Sequence, residues 1–207
     1  MKQYLVGLDE AGRGSLAGPV AAGCVLLPSD FPTGILNDSK KLSPKKRLKA
    51  ESLIKEEACW GVALIDHRII DAINILQASL LAMKQAYFAM LASLPDWALA
   101  HGLGKISSAN LAAIADGTFC PDVSCAVSCE PHADATYPPV MAASILAKTC
   151  RDRLMAESYD KLYPQYGYAK HKGYPTPEHL QVCRELGPSP IQRLTFSLGK
   201  ETVIYSN

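Results

Sequence analysis

The sequence predicts an α/β fold in which a sheet packs against helices and the C-terminal part is helical. Short apolar runs rich in Val and Leu come first along the chain, mixed strands and helices follow, and helical segments alone come last. Short apolar runs are typical of buried strands, whereas long segments with apolar residues every three or four positions are typical of helices. This order favours one sheet flanked by helices and leaves the strand order open.

Five strands are predicted from short apolar runs. Three of them lie near the N-terminus and end at charged residues, glycines or loops, and two follow in the middle of the chain, separated by a glycine-containing loop. The predicted strands span residues 3–8, 20–27, 60–65, 96–100 and 111–115.

Four helices are predicted from capping residues and helical spacing. Ser43 and Thr176 each precede a proline, and a hydroxyl N-cap followed by proline at the first helical position is a common helix start. Between them, apolar residues recur at helical spacing over two longer segments. The predicted helices span residues 44–57, 69–91, 139–159 and 177–186.

The composition excludes disordered and fibrous classes of protein. The chain has 207 residues, of which 48% are hydrophobic and 20% charged, as in an ordinary globular domain. We therefore expect a single domain over residues 1–207, with a helical C-terminal portion from about residue 160. No apolar run reaches transmembrane length, and acidic residues stand where a signal peptide is basic, so we expect a cytoplasmic protein without a membrane span.

The cysteines are expected to be reduced, because a chain of this length does not need disulfides to be stable. There are seven of them. One group, consisting of Cys120, Cys125, Cys129 and His132, has donor atoms that could hold zinc. Its spacing lacks the paired C-x-x-C pattern of zinc sites, so small buried side chains on a strand and its edges are the favoured interpretation and zinc is the alternative.

Two adjacent carboxylates, Asp9 and Glu10, follow a buried apolar run and are costly to desolvate without a partner. A divalent cation is one such partner, and a solvent-exposed pair with Arg13 as counterion is the alternative. Gly12 and Gly14 favour the cation, because they let the backbone approach a ligand while the arginine between them contacts a phosphate. In a regular strand Asp9 and Glu10 point to opposite faces, so both reach one site only if the strand ends or bends there.

Asp116 and Asp134 are also acids that follow apolar runs. Single aspartates in loops are usually caps or turn formers. Acids at the ends of several strands, however, can converge at one edge of a sheet. Several carboxylates without a histidine-rich motif favour Mg²⁺ or Mn²⁺ over zinc.

Nucleic-acid binding by bulk charge is excluded, since 21 Lys and Arg against 20 Asp and Glu leave a formal net charge of +1. Any such binding must use local patches. Ser144, Lys148 and Arg151 share one face of a predicted helix, which is either a solvated stripe or a phosphate-contacting face.

Two further segments are candidates for contact with nucleic acid. Ser39 and Lys40 begin the densest basic cluster, residues 39–49, which is either a solvated helix face or a patch that binds the phosphate backbone. Aromatic and basic residues alternate over residues 166–174, a mixture that suits contact with sugar, base and phosphate.

Five motifs together resemble ribonuclease HII, the type 2 ribonuclease H. They occur in the family's order and extend over nearly the whole chain. The motifs are D-E-A-G-R-G at 9–14, D-S-K-K-L-S at 38–43, I-N-I-L-Q-A at 73–78, A-A-S-I-L-A-K at 142–148 with R-D at 151–152, and H-K-G-Y-P-T at 171–176.

This resemblance implies a ribonuclease H-like fold, with a central mixed β-sheet flanked by helices and a helical C-terminal extension. It implies an endoribonuclease that cuts the RNA strand of RNA–DNA hybrids and single ribonucleotides embedded in duplex DNA. The implied reaction is two-metal-ion hydrolysis with Mg²⁺ or Mn²⁺ that leaves a 3′-hydroxyl and a 5′-phosphate. The implied roles are ribonucleotide removal from DNA and RNA primer removal, and we expect a monomer.

The family site carries four acids, and the resemblance assigns Asp9, Glu10 and Asp134 to three of them. We assign Asp116 to the fourth, because it ends a predicted strand with the family's spacing to Asp134. The alternative register puts His101, a poor Mg²⁺ ligand, at that position and would leave a catalytically impaired hybrid-binding protein. In the preferred register, residues 98–110 are an insertion.

The resemblance also assigns substrate-binding residues. Tyr174 and the G-R-G turn are expected to recognise the ribose 2′-hydroxyl, and the others to contact phosphates or line the site. The full set is Gly12, Arg13, Gly14, Ser39, Lys40, Ser144, Lys148, Arg151 and Tyr174.

Overall fold

The computed structural model of the chain describes residues 3–37, 39 and 42–197. The described residues form the strands β1 (Tyr4–Ala11), β2 (Val20–Leu26), β3 (Cys59–Ile65), β4 (Leu111–Asp116) and β5 (Ala126–Glu130). They also form the helices α1 (Pro44–Glu57), α2 (His67–Ile73), α3 (Ile75–Ala100), α4 (Pro138–Leu154), α5 (Asp160–Leu162), α6 (Tyr168–His171) and α7 (Pro177–Leu186).

The strands form one mixed sheet in the order β3-β2-β1-β4-β5. β1 and β3 are antiparallel to β2, whereas β1, β4 and β5 are parallel to one another. The mixed α/β sheet implied by the resemblance is therefore confirmed. Because β1, β4 and β5 run in the same direction, their carboxyl ends meet at one edge of the sheet, which is where open α/β sheets bind ligands.

One face of the sheet is covered by α3, which packs against β2 and β3. A Cβ on Gly61 would lie 2.2 Å from the Ala86 carbonyl oxygen, so helix and strand are in close contact. By length and composition α3 is apolar enough to cross a membrane. Its buried residues, among them Ala82, Tyr87 and Met90, belong to the core cluster on the sheet, which accounts for that apolar character.

The opposite face is covered by α4, which lies across β1 and β2. Cβ atoms on Gly7 and Gly23 would approach backbone atoms of α4 to 2.1 Å and 2.4 Å, so no larger residue fits between this helix and the sheet. The close contact brings Ser144, in the middle of α4, against β1. α1 packs on the outer side of α4.

Two predicted elements are wrong. Residues 96–100 are not a strand, because α3 continues through Pro95 and keeps Leu94 and Ala98 buried against the core. The predicted helix 69–91 is divided at Asn74, which has φ 67° and accepts a hydrogen bond from the Gln77 N–H as the N-cap of α3. The remaining predicted elements are confirmed, with boundaries that differ by a few residues.

The expectation that every cysteine is reduced is also wrong, because Cys120 and Cys129 form a disulfide with a Cα–Cα distance of 5.5 Å. The register of β4 and β5 pairs Cys129 with Ala115, and the loop after β4 returns Cys120 to that position. Two of the four donors of the zinc alternative, Cys120 and Cys129, are therefore used in this disulfide.

Candidate active site

Four carboxylates lie at the carboxyl edge of β1, β4 and β5, and we call Asp9, Glu10, Asp116 and Asp134 the acidic edge. The parallel register pairs Leu8 with Ala115, which places Asp9 beside Asp116. Asp134 lies in the single turn Ala133–Ala135 that follows β5. The Ala133 N–H donates to Asp116 Oδ1 at 2.8 Å, so the turn that carries Asp134 is fixed to the end of β4.

The acidic edge holds negative charge that the chain compensates only in part. Burial raises the pKa of Asp9 well above its ordinary value, and the negative charges of Glu10 and Asp116 raise it further. Burial also raises the pKa of Glu10; Arg13 opposes this shift and Asp116 adds to it. A cation at this edge would offset both the cost of desolvating the buried carboxylates and the repulsion between them.

The chemistry of these donors fits a hard divalent cation, because carboxylate oxygens are the ligands that Mg²⁺ and Mn²⁺ prefer. The described side chains do not form a closed site of three or more donors by themselves.

Asp9 is oriented by two serines. Ser144 makes a hydrogen bond to the Asp9 carboxylate, which lowers its pKa and opposes the effect of burial. The Ser39 and Ser144 hydroxyl oxygens are 2.9 Å apart. A carboxylate can only accept, so Ser144 uses its single hydrogen on Asp9, and Ser39 must donate to Ser144. Both predicted substrate-binding serines are nearly buried, at 2% and 4% exposed, and therefore support the acid.

A cleft beside the acidic edge collects most of the predicted substrate-binding residues. It is lined by Glu10, Ala11, Gly12, Arg13, Gly14, Ser39, Ser144, Lys148 and Tyr174. The Lys148 ammonium lies 4.9 Å from the centre of the Tyr174 ring and donates to Asp152 at 2.9 Å. Lys40, which was also predicted to bind the substrate, lies outside the described residues.

Arg151 is the predicted substrate-binding residue that the structure keeps out of the cleft. It is 0% exposed and donates to the carbonyl oxygens of Pro19, Ala17 and Lys172 at 2.8, 3.1 and 2.9 Å. The prediction that its guanidinium contacts a phosphate is wrong, because backbone carbonyls occupy these donors. Helical spacing placed it on the correct face of α4 but gave no information on its depth.

Arg193 is a supporting residue that the sequence analysis missed, since it lies in a segment without periodicity. It is 1% exposed and donates to the carbonyl oxygens of Gly18, Arg13 and Pro19 at 2.9, 2.9 and 3.0 Å. Burial and the neighbouring Arg151 lower its pKa to about 9.

The two buried arginines join the two parts of the cleft that are predicted to recognise the substrate. We call Gly12–Gly14 the recognition loop and Lys172–Tyr174 the Tyr174 turn. Arg193 bonds the first through the Arg13 carbonyl, Arg151 bonds the second through the Lys172 carbonyl, and both bond Pro19. Leu16 also donates its N–H to the Gly173 carbonyl at 2.8 Å.

His101 lies far from this cleft. It is exposed at the C-terminal end of α3 and lines a separate groove with Gln3 and Tyr4, at the amino end of β1. The carboxyl end of β1, which carries Asp9, is the opposite edge of the sheet. The structure therefore brings Asp116, and not His101, to the acidic edge, and the alternative of an impaired hybrid-binding protein loses its basis.

Comparisons with known proteins agree with one another. The family model for Ribonuclease HII matches residues 6–198. A Ribonuclease HII of Treponema denticola is 45% identical over 196 residues, which cover 93% of this chain and 97% of the relative. The structure of ribonuclease H2 from Pyrococcus horikoshii superposes with a TM-score of 0.65 at 25% identity and covers 95% of each chain. Bst-RNase HIII in complex with Mn²⁺ shares the fold, with a TM-score of 0.61 at 17% identity over 90% of this chain and 63% of that one.

Proposed function

The chain belongs to the ribonuclease HII family and is a ribonuclease H, a hydrolase that acts on RNA in RNA–DNA hybrids, and we propose that it also cuts at single ribonucleotides in duplex DNA. The products would be a 3′-hydroxyl and a 5′-phosphate. The observation that carries this proposal is the cleft, in which Glu10 of the acidic edge, the recognition loop and Tyr174 line one space. Such an enzyme would act in the removal of ribonucleotides from DNA and of RNA primers.

Asp9, Glu10, Asp116 and Asp134 would hold the divalent cation, Mg²⁺ or Mn²⁺. When bound, such ions supply an activated water and stabilise charge on the attacking and leaving oxygens. The protein's own contribution is to keep the acids ready: Ser144 orients Asp9, and the Ala133 N–H fixes Asp116. Burial raises the pKa of Asp9 and of Glu10, and a bound cation would favour their charged forms.

The enzyme would bind the duplex through its phosphates. Lys148 lines the cleft, and Lys45, Lys46 and Lys49 present exposed charges on α1, which packs beside α4. These contacts position the duplex without selecting its sequence.

We expect the enzyme to act as a monomer in the cytoplasm.

Recognition of a ribonucleotide requires polar groups that only a 2′-hydroxyl can satisfy. The recognition loop offers backbone groups beside glycines, where no side chain blocks the sugar. The Tyr174 ring lines the same cleft, although it is far from the recognition loop in sequence. We assign both to the 2′-hydroxyl, with the ring of Tyr174 placed against the sugar.

The decisive experiment compares Asp116→Asn with His101→Ala in divalent-dependent cleavage of a duplex that contains one ribonucleotide. We expect Asp116→Asn to lose about 100-fold or more in rate, because a metal ligand is lost, while the duplex still binds. His101→Ala serves as the control and should cleave like the parent. An active Asp116→Asn beside an inactive His101→Ala would reverse the assignment of the acid.

A further inference from the structure

Two histidines beneath the Tyr174 turn have no part in the function proposed above. His171 ends α6 and His179 lies in the first turn of α7. Their rings stack with centroids 4.1 Å apart, and they are 8% and 0% exposed. Each ring bonds a different backbone group of the Tyr174 turn.

The bonding partners define which nitrogen of each ring carries hydrogen. The Gly173 N–H donates to His171 Nδ1 at 3.1 Å, so this nitrogen is an acceptor, and Nε2 donates to the Tyr166 carbonyl at 2.8 Å. His179 Nδ1 lies 2.9 Å from the Tyr174 carbonyl, which can only accept, so this nitrogen is the donor. The two neutral rings thus have opposite tautomers.

The Tyr174 turn needs such support because its backbone is unusual. Lys172 and Gly173 both have left-handed conformations, with φ of 53° and 81°. A left-handed conformation at a residue with a Cβ is strained and persists only where contacts impose it. Arg151 and Leu16 hold the first two residues of the turn. The carbonyl of Tyr174 accepts from the Thr176 N–H at 2.8 Å and from the His179 side chain, so His179 adds a side-chain bond to a backbone one.

Packing alone does not explain a histidine at position 179. Its Nε2 is buried and has no hydrogen-bond partner among the described residues, which destabilises the fold. An apolar side chain would fill the same space without that cost. Burial and the neighbouring His171 lower the pKa of His179 to about 4, so the ring stays neutral and keeps its single N–H on Nδ1.

We infer that His179 is a positioning residue for ribonucleotide recognition: its bond to the Tyr174 carbonyl, backed by the stacked His171, sets the direction in which the Tyr174 ring enters the cleft. This inference rests on the proposed role of Tyr174 and assigns the element that gives the ring its orientation.

The test uses three substitutions that differ in where a donor remains. In His179→Asn the amide N–H can stand in for Nδ1–H. His179→Gln has a longer side chain that carries its amide toward the Nε2 position, and His179→Leu has no donor. His101→Leu is the matched control, because His101 Nδ1 also lies 2.8 Å from a backbone carbonyl, that of Trp97, but outside the cleft.

The first measurement is kcat and KM on a duplex with one ribonucleotide and on a duplex with a long RNA tract. We expect His179→Leu and His179→Gln to lose about tenfold or more in kcat on the single ribonucleotide, with a smaller loss on the tract, because a small misplacement of a contact group is costly. His179→Asn and His101→Leu should keep most of the parent value. Equal losses in the Asn, Gln and Leu variants would overturn the inference, since the donor would then be irrelevant.

The second measurement follows the tyrosine directly, by ¹⁹F NMR of protein labelled with 3-fluorotyrosine, with the Tyr174 signal identified by Tyr174→Phe. We expect this signal to shift in the Leu and Gln variants and to return in His179→Asn. A signal that does not move in any variant overturns the positioning role. A shifted signal with unchanged substrate preference supports positioning and counts instead against Tyr174 as the group that recognises ribose. If His179→Leu does not fold, the Asn and Gln variants decide.

Discussion

The acidic edge differs in its electrostatics from the recognition loop and the Tyr174 turn beside it. At the acidic edge, carboxylates stand close together, and burial and repulsion raise the pKa of Asp9 and Glu10. In the recognition loop and the Tyr174 turn, buried positive charges meet backbone carbonyls, and Arg151 and Arg193 each donate three hydrogen bonds.

This difference separates reactivity from recognition. The negative charge that the protein leaves uncompensated at the acidic edge gives this region affinity for the cation that would take part in the reaction. Backbone groups held by buried arginines keep a fixed shape, which is what the proposed recognition of the ribose would require. Substitutions in the two regions should therefore have opposite effects on stability.

The largest effect is expected from Asp9→Asn, which should lower cleavage by about 100-fold or more and yet stabilise the metal-free protein. The pKa of Asp9 is raised in the folded state, so its ionisation disfavours folding. This penalty is absent below the ordinary pKa of about 4 and grows as pH rises toward the folded-state pKa. Urea unfolding in EDTA at pH 4 and pH 8 measures it.

The stabilisation of Asp9→Asn over the parent should therefore be small at pH 4 and larger at pH 8. Added Mg²⁺ should narrow the difference, because the cation stabilises the parent more than the variant. A variant that is less stable than the parent at pH 8 in EDTA would contradict an uncompensated acidic edge.

Arg193→Met should have the opposite sign, with a loss of about 3 kcal/mol or more in the free energy of unfolding. Removal of the guanidinium takes a donor from the carbonyls of Arg13, Gly18 and Pro19, of which only Pro19 keeps a bond from Arg151, at about 1–3 kcal/mol for each group left unsatisfied. The exposed Arg184→Met is the matched control and should change stability little. Similar melting curves for both variants would show that the stability of the recognition loop does not depend on Arg193.

A smaller effect distinguishes the two glycines of the recognition loop. Gly12 has φ 97°, and a Cβ there would lie 2.1 Å from Arg151 Nε, whereas a Cβ on Gly14 meets nothing within 4 Å. Gly12→Ala should lower the free energy of unfolding by about 1–3 kcal/mol, through the strained backbone and the displaced arginine.

Gly14→Ala is the control for that experiment and should leave stability unchanged. Its only expected effect is on the KM for a single ribonucleotide, where the added methyl group meets the sugar. If Gly12→Ala proved as stable as Gly14→Ala, the contact between Arg151 and the recognition loop would not be essential.

The sequence predicted those parts of the molecule that local patterns specify. Apolar runs predicted β1, β2 and β3, and capping residues predicted where α1 and α7 begin. The motifs identified the family, which the comparisons confirm. The assignment of Asp9, Glu10, Asp116 and Asp134 as metal ligands stays a prediction, although the structure brings these acids to one edge.

What the sequence could not predict depends on the third dimension. Helical spacing placed Arg151 on the face of α4 that carries Ser144, but only the packed structure shows that it lies beneath the Tyr174 turn. The apolar run at 96–100 was predicted as a strand, yet α3 continues through Pro95, because the burial of Leu94 and Ala98 outweighs one missing hydrogen bond. Arg193 had no pattern around it, because its partners lie more than 170 positions away along the chain.

That long separation has a consequence for how the protein is made. Arg13 leaves the ribosome long before Arg193, the arginine that bonds its carbonyl, because 180 positions separate the two residues. The bridge between Ala17 and Gln192 imposes the same order. Strand β1 can therefore form early with its carboxylates in place, while the recognition loop acquires its final shape only once residue 193 has emerged. A nascent chain can thus hold Asp9 and Glu10 in a strand before the loop that is proposed to recognise the ribonucleotide has its final shape.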